Sequence, residues 1–161
     1  MAQGSTLSQP YGYDGAQQQV VIGTAPGAGL NFTYPQDGRY IERIISCVFT
    51  LTTSATVANR YVTLEYADGG GNSFAVDAAA AVVTAGSTQR FAGSMSRGTS
   101  SVAASTDVIF GLTPVFLYTG WTLKILVASI AAGDTLTKIA FLTDRFNTGN
   151  QDAPAGAVLR P

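Results

Sequence analysis

Residues 40–53 alternate in character at every step. One face reads Ile41, Arg43, Ile45, Cys47, Phe49, Leu51, and the other reads Tyr40, Glu42, Ile44, Ser46, Val48, Thr50, Thr52. A period of two sustained this long is the signature of a β-strand and incompatible with an amphipathic helix. Such a strand needs neighbours for its backbone and cover for at least one face. No convincing helical pattern occurs elsewhere in the 161 residues, so the partners must also be strands.

They can be read off in turn. Residues 60–67 place Val62, Leu64 and Tyr66 on one side and Tyr61, Thr63 and Glu65 on the other, which predicts an antiparallel hairpin with 40–53. Asp68-Gly69-Gly70-Gly71-Asn72 turns the chain, since glycine tolerates positive φ. A strand over 73–77 leads to the small-residue run 78–84, which reads as one helical turn or a loosely packed strand. Residues 88–93 are a strand, 94–106 a long Ser/Gly/Ala-rich surface loop, and 108–112 and 115–118 short strands split by Pro114. A last hairpin is expected from 121–130, with Trp121, Leu123, Ile125 and Val127 on one face. It turns at residues 131–134 into 135–146. There Leu136, Ala140, Leu142 and Phe146 share a face, while Ile139 and Phe141 on the opposite face call for cover from a partner. Strands over 18–22 and 31–34 bring the total to eight to ten. The expectation is an all-β, antiparallel two-sheet β-sandwich, jelly-roll-like, whose core contains Ile45, Cys47, Phe49, Val62, Leu64, Leu123, Ile125, Val127 and Leu142.

The ends differ in composition. Residues 1–17 and 147–161 are rich in glycine and small or polar residues, and too poor in large apolar groups to offset their own ordering entropy. They read as arms flanking a domain at 18–146. Tyr11 and Tyr13 in one arm, and Val158 and Leu159 in the other, are candidate anchors for a neighbouring surface, together with Ile139 and Phe141.

Charge narrows the functional classes. Only 12% of residues are charged, about half the usual share. The nine Lys and Arg are scattered singly from Arg39 to Arg160 and the net charge is −1, so direct nucleic-acid binding is not expected. No apolar stretch reaches membrane-spanning length, no membrane partner is expected, and Met-Ala-Gln-Gly-Ser does not read as a signal peptide. Cys47 has no partner for a disulfide and reads as a small buried hydrophobe.

The candidate sites are weak as chemistry. Gly23–Gly29 is glycine-rich but lacks the Lys-Ser/Thr of a phosphate loop and leads into a strand. Asp68, Asn72 and Asp77 lack the ordered spacing of a calcium loop. The carboxylate pairs Asp37/Glu42 and Asp134/Asp144 flank turns, where solvation is the default. Histidine is absent, so a nucleophilic Ser or Thr would depend on Lys124 or Lys138, both on an outer face. No enzyme, metal or cofactor is expected. Tyr34, Tyr40, Tyr61, Tyr66, Tyr118 and Trp121, with the arm tyrosines, keep a sugar-stacking platform open as an alternative. Asn31-Phe32-Thr33 matches a glycosylation acceptor without a secretory context.

Three stretches carry a resemblance: residues 22–34 (IGTAPGAGLNFTY), residues 43–60 (RIISCVFTLTTSATVANR) and residues 131–134 (AAGD). Together they resemble small β-sandwich virion structural proteins of tailed bacteriophages, over about residues 20–146. The resemblance implies a capsid decoration or cement protein, or a neck or tail component. It also implies a jelly-roll core, a homo-oligomer with a trimer preferred, arms that reach the major capsid or other virion subunits, and residence in the virion after assembly in the host cytoplasm. It carries no set of functional residues.

Overall fold

The computed structural model describes residues 16–95, 101–104 and 107–147. Tyr11, Tyr13, Val158 and Leu159, and most of both arms, lie outside the described residues. Among the described residues every regular element is a strand: β1 (Gln17–Ile22), β2 (Phe32–Thr33), β3 (Tyr40–Thr52), β4 (Arg60–Ala67), β5 (Ser73–Val83), β6 (Thr88–Ser94), β7 (Ser101–Ala104), β8 (Asp107–Gly111), β9 (Phe116–Leu117), β10 (Thr122–Ala128) and β11 (Thr135–Asn147). The run at 78–84 is therefore mostly strand. Part of the expected 94–106 loop is the strand β7, which pairs antiparallel with β8.

The strands form two sheets that pack face to face. Sheet A runs β1-β11-β3-β6-β8-β7, with β9 also on β3, and sheet B runs β2-β10-β4-β5. The pairs nest: β1 with β11, β2 with β10, β3 with β6, and β4 with β5. That nesting is the folded-over hairpin of a jelly roll, with β7–β9 inserted between its sixth and seventh strands. Strand β8 lies parallel to β6, which the insertion makes possible. Inner faces of both sheets meet in one core that includes Phe49, Phe91, Phe110, Phe141, Leu64 and Ile125. The Phe49 and Phe91 rings stack at 5.0 Å, with Phe110 edge-on to Phe49 at 6.5 Å. Rings buried in this way dominate the apolar area such a core removes from water.

Two expected hairpins are sheet-crossing arches instead. Strand β3 belongs to sheet A and β4 to sheet B, and the same division separates β11 from β10. Alternation fixes which residues share a face; it does not say whether the next strand pairs beside or lies across the core.

Two β-bulges change which face is inside. In β3, Ser46 pairs with Leu142 and Ile44 with Thr143, so Ile45 is an extra residue. Before it the even positions Glu42 and Ile44 face the core; after it Cys47, Phe49 and Leu51 do. Ile45 is thus only half-buried and Ile44 takes its place. In β11, Thr137 pairs with Thr50 and Ala140 with Val48, leaving Lys138 and Ile139 opposite Phe49 alone. Lys138 adopts φ 51°, and the bulge brings Leu136, Ile139 and Phe141 onto one inner face. Leu142 is pushed to the outer side and half-buried there. Cys47, Phe49, Val62, Leu64, Leu123, Ile125 and Val127 are buried as expected.

Candidate functional site

At one end of the sandwich the chain crosses between sheets four times, through residues 23–31, 53–59, 84–87 and 129–134, and the second and fourth crossings meet at one buried polar group. Arg60 and Asp134 hold the two crossings together, and both side chains are fully buried. Arg60 Nε donates to Asp134 Oδ2 at 2.9 Å and its second nitrogen to Oδ1 at 3.1 Å. The remaining guanidinium nitrogen donates to the carbonyls of Thr56 and Ala58. Asp134 also accepts from the Ser54 amide and hydroxyl and from the Ala131 amide. Burial pushes the Asp134 carboxyl upward, but Arg60 and these donors outweigh it and hold the pKa at about 2. The expectation of a solvated turn aspartate is corrected: this is a saturated buried bidentate pair.

The opposite end carries a second polar group. Arg145 Nε lies 2.6 Å from Glu42 Oε1, and the Glu42 side chain is fully buried. Neither Glu42 oxygen has a well-aligned hydrogen bond among the described residues. Burial pushes the Glu42 carboxyl up, against the pull of Arg145 and Tyr34. Burial and then Glu42 push the Tyr34 hydroxyl up. Beside them Arg43 pairs with Asp144 at 2.5 Å and lies over the rings of Phe116 and Phe146. The sequence pairs Asp37/Glu42 and Asp134/Asp144 are therefore not brought together. Asp37 bonds Arg39, Glu42 meets Arg145, Asp134 meets Arg60 and Asp144 meets Arg43.

The other sequence candidates also resolve into packing. Asp68 accepts from the amides of Gly70 and Asn72, an Asx turn in which Gly71 takes φ 83°. Asp77 instead accepts from the Tyr66 hydroxyl and from the Thr113 amide and hydroxyl, tying β5 to the segment after β8. Asp68 and Asn72 thus do not converge with Asp77, and no group of three or more metal-ligating side chains occurs among the described residues. In the 23–29 segment the Gly29 amide donates to the Asp134 carbonyl. The Asn31 side chain accepts from the Val127 amide. Cys47 is buried, and burial pushes its thiol up to about 12. Lys138 is exposed on its bulge. Trp121 packs between Phe74 and Tyr118 at centroid distances of 4.9 and 5.0 Å, and those two rings are 46% and 47% exposed.

Of the residues proposed as partner contacts, Ile139 and Phe141 are core residues. The bulge at Lys138 turns them inward, so the cover they need comes from sheet B of the same chain: the Phe141 ring packs on Phe32 and Tyr34. What that bulge leaves outside is more informative. An open trough of about 430 Å³ crosses the outer face of sheet A, formed by Val20, Val48, Ala92, Ile109, Ala140 and Leu142 among others, with no charged residue in its lining. Val20 at its rim is 60% exposed. The outer face of an antiparallel sandwich ordinarily carries polar residues. Alternation alone could not find this surface, because it depends on the bulges and on five strands distant in sequence.

No protein-family model and no curated protein matches the sequence. Among solved structures, the chain is similar to part of a chain in the structure of the Gx strain of infectious bursal disease virus. The identity is 14% and the TM-score 0.38, covering 84% of this chain and 33% of that one. For the Gt strain of the same virus the identity is 17% and the TM-score 0.33, covering 83% and 33%. The chain spans about a third of the length of these solved chains.

Proposed function

We propose that this chain is a structural virion protein: a capsid decoration or cement protein of a tailed bacteriophage that binds and stabilises the head through its sandwich and arms. The observation that carries the reading is the uncharged, mainly apolar trough on the outer face of sheet A, where a sandwich that meets only water ordinarily carries polar side chains. A jelly roll by itself is compatible with many functions, and the uncharged outer face is what distinguishes this one. In this reading the protein acts by binding, without turnover or cofactor, as a homo-oligomer, preferably a trimer, on the major capsid or other virion subunits. The carboxylates of Asp37, Asp134 and Asp144 are each hydrogen-bonded to an arginine, which supports a packing role for them. Residues 1–17 and 147–161 become ordered on neighbouring subunits, where they gain contacts that a single chain cannot provide. The test is deletion of residues 2–17. The sandwich should still fold, because β1 retains its pairing with β11 from Gln18 onward. Incorporation into particles should be lost, and incorporation at full occupancy would refute the role of that arm.

A second reading, a carbohydrate-binding module, is favoured by the Phe74–Trp121–Tyr118 cluster, whose partly exposed rings offer apolar surface for stacking. Binding to a glycan array that disappears with Trp121→Ala would select it.

A further inference from the structure

We propose that the sheet A trough receives residues 153–159 of the C-terminal arm of a second copy of this chain, so that the homo-oligomer is linked by exchanged arms. The inference rests on the homo-oligomer reading above and specifies which surfaces make it.

Size comes first. From β1 across β11, β3 and β6 to β8 is four strand spacings, about 19 Å at ~4.8 Å each. Along the strands the lining covers only about three residues, as in Ser46–Cys47–Val48 on β3 and Ala140–Phe141–Leu142 on β11, or roughly 10 Å. The footprint is about 200 Å², far below the roughly 800 Å² per partner of a stable contact between two globular faces. It matches instead one extended segment of about six residues laid across the strands.

Chemistry selects the segment. The floor is small and apolar, with Ala92 and Ala140, and no lining residue is charged. Residues 153–159 read Ala-Pro-Ala-Gly-Ala-Val-Leu, with no charge and no polar side chain, and Val158 and Leu159 supply the bulk to fill the depth. The corresponding part of the N-terminal arm, Gln9-Pro10-Tyr11-Gly12-Tyr13-Asp14, is polar and carries a carboxylate.

Reach selects the copy. Strand β11 ends at Asn147, five residues beyond Leu142 at the near side of the trough, or about 17 Å. Asn147 and Ala153 are six Cα steps apart, through residues 148–152, and fully extended that stretch spans at most about 22 Å. Returning to the chain's own trough requires a reversal, and a four-residue turn spends about three of those six steps without advance, leaving roughly 11 Å against the 17 Å to be retraced. Delivery to a neighbouring copy needs no reversal. Arm and trough are different surfaces, so each contact is heterologous, and the set closes by reciprocal exchange between two copies or as a larger ring.

The test uses the full chain, a form ending at Asn147, and Val48→Lys, which puts a charge in the trough floor. Light scattering should show an oligomer for the full chain and single chains for each variant. An equimolar mixture of the two variants should form a one-to-one pair, because the truncated chain keeps a trough and Val48→Lys keeps an arm. Circular dichroism checks that each variant keeps its β signature, and Ala92→Lys replaces Val48→Lys if that variant does not fold. Oligomers that persist in both variants overturn arm docking while leaving the homo-oligomer reading intact. Variants that are monomeric but do not pair also overturn it. A full chain that is monomeric at high concentration overturns the homo-oligomer reading and this inference with it.

Discussion

The two ends of the sandwich each bury an arginine beside a carboxylate, and they use it differently. At the Arg60–Asp134 end every polar atom of the pair has a partner, from two loops that no local signal connects. At the Glu42–Arg145 end the carboxylate is just as buried, yet its ion pair lacks hydrogen-bond alignment. Removing a charge from water costs several kcal/mol, and only good geometry with satisfied lone pairs offsets it. The first end therefore acts as a clasp that sets where the chain changes sheets. The second is a site of residual cost, cushioned by Gln19, which accepts from Arg145, and by the Tyr40 ring beneath the guanidinium.

The largest expected effect comes from breaking the clasp. Asp134→Ala leaves the Arg60 charge and the Ser54 and Ala131 amides without their acceptor, and should cost about 3–5 kcal/mol in urea unfolding. A loss below about 1 kcal/mol would mean that water replaces the carboxylate and that the end is not closed.

Glycines sharpen the same contrast. Gly29 has φ 72°, and a Cβ there would sit 2.8 Å from the Ala132 Cα, against the turn that holds Asp134. Gly29→Ala should cost roughly 1–3 kcal/mol through backbone strain and overpacking. Gly38, near the other end, would place its Cβ 3.6 Å from a Thr119 methyl, an ordinary contact. Gly38→Ala should change stability by less than about 0.5 kcal/mol. Equal losses at the two positions would erase the distinction between the ends.

Titration should separate the ends by sign. The Asp134 pKa is depressed in the folded chain, so its contribution is fully present above the ordinary 3.8 and is lost as pH falls from there through about 2. The Glu42 pKa is raised, so its ionisation costs stability above the shifted value, and that cost fades as pH falls toward the ordinary 4.5. Glu42→Gln keeps the shape and removes a carboxylate whose ionisation is penalised, so it should cost less at neutral pH than Asp134→Ala and should flatten the pH dependence above the ordinary 4.5. A destabilisation at pH 7 as large as that of Asp134→Ala would show that the Glu42–Arg145 attraction exceeds the burial cost.

The sequence by itself determined that the chain is all-β, where most strands begin and end, and much of the core. Side chains alternate across a strand for steric reasons that act within a few residues, and Cys47, Phe49, Leu64 and Ile125 obey them. The Asp68–Asn72 turn is equally local, a side chain capping its own backbone. Tertiary structure decided the rest. Residues 40–53 and 60–67 look like a hairpin from their own pattern, yet they serve opposite sheets, because Arg60 finds its partner 74 residues away. The bulges at Ile45 and Lys138 each insert one residue, and one residue inverts every face that follows. That inversion sends Ile139 and Phe141 into the core and Leu142 out to the trough. An interaction surface inferred from alternation alone therefore fell on residues that the fold had already buried, while the surface left open was assembled from β1, β11, β3, β6 and β8, whose adjacency only long-range pairing creates.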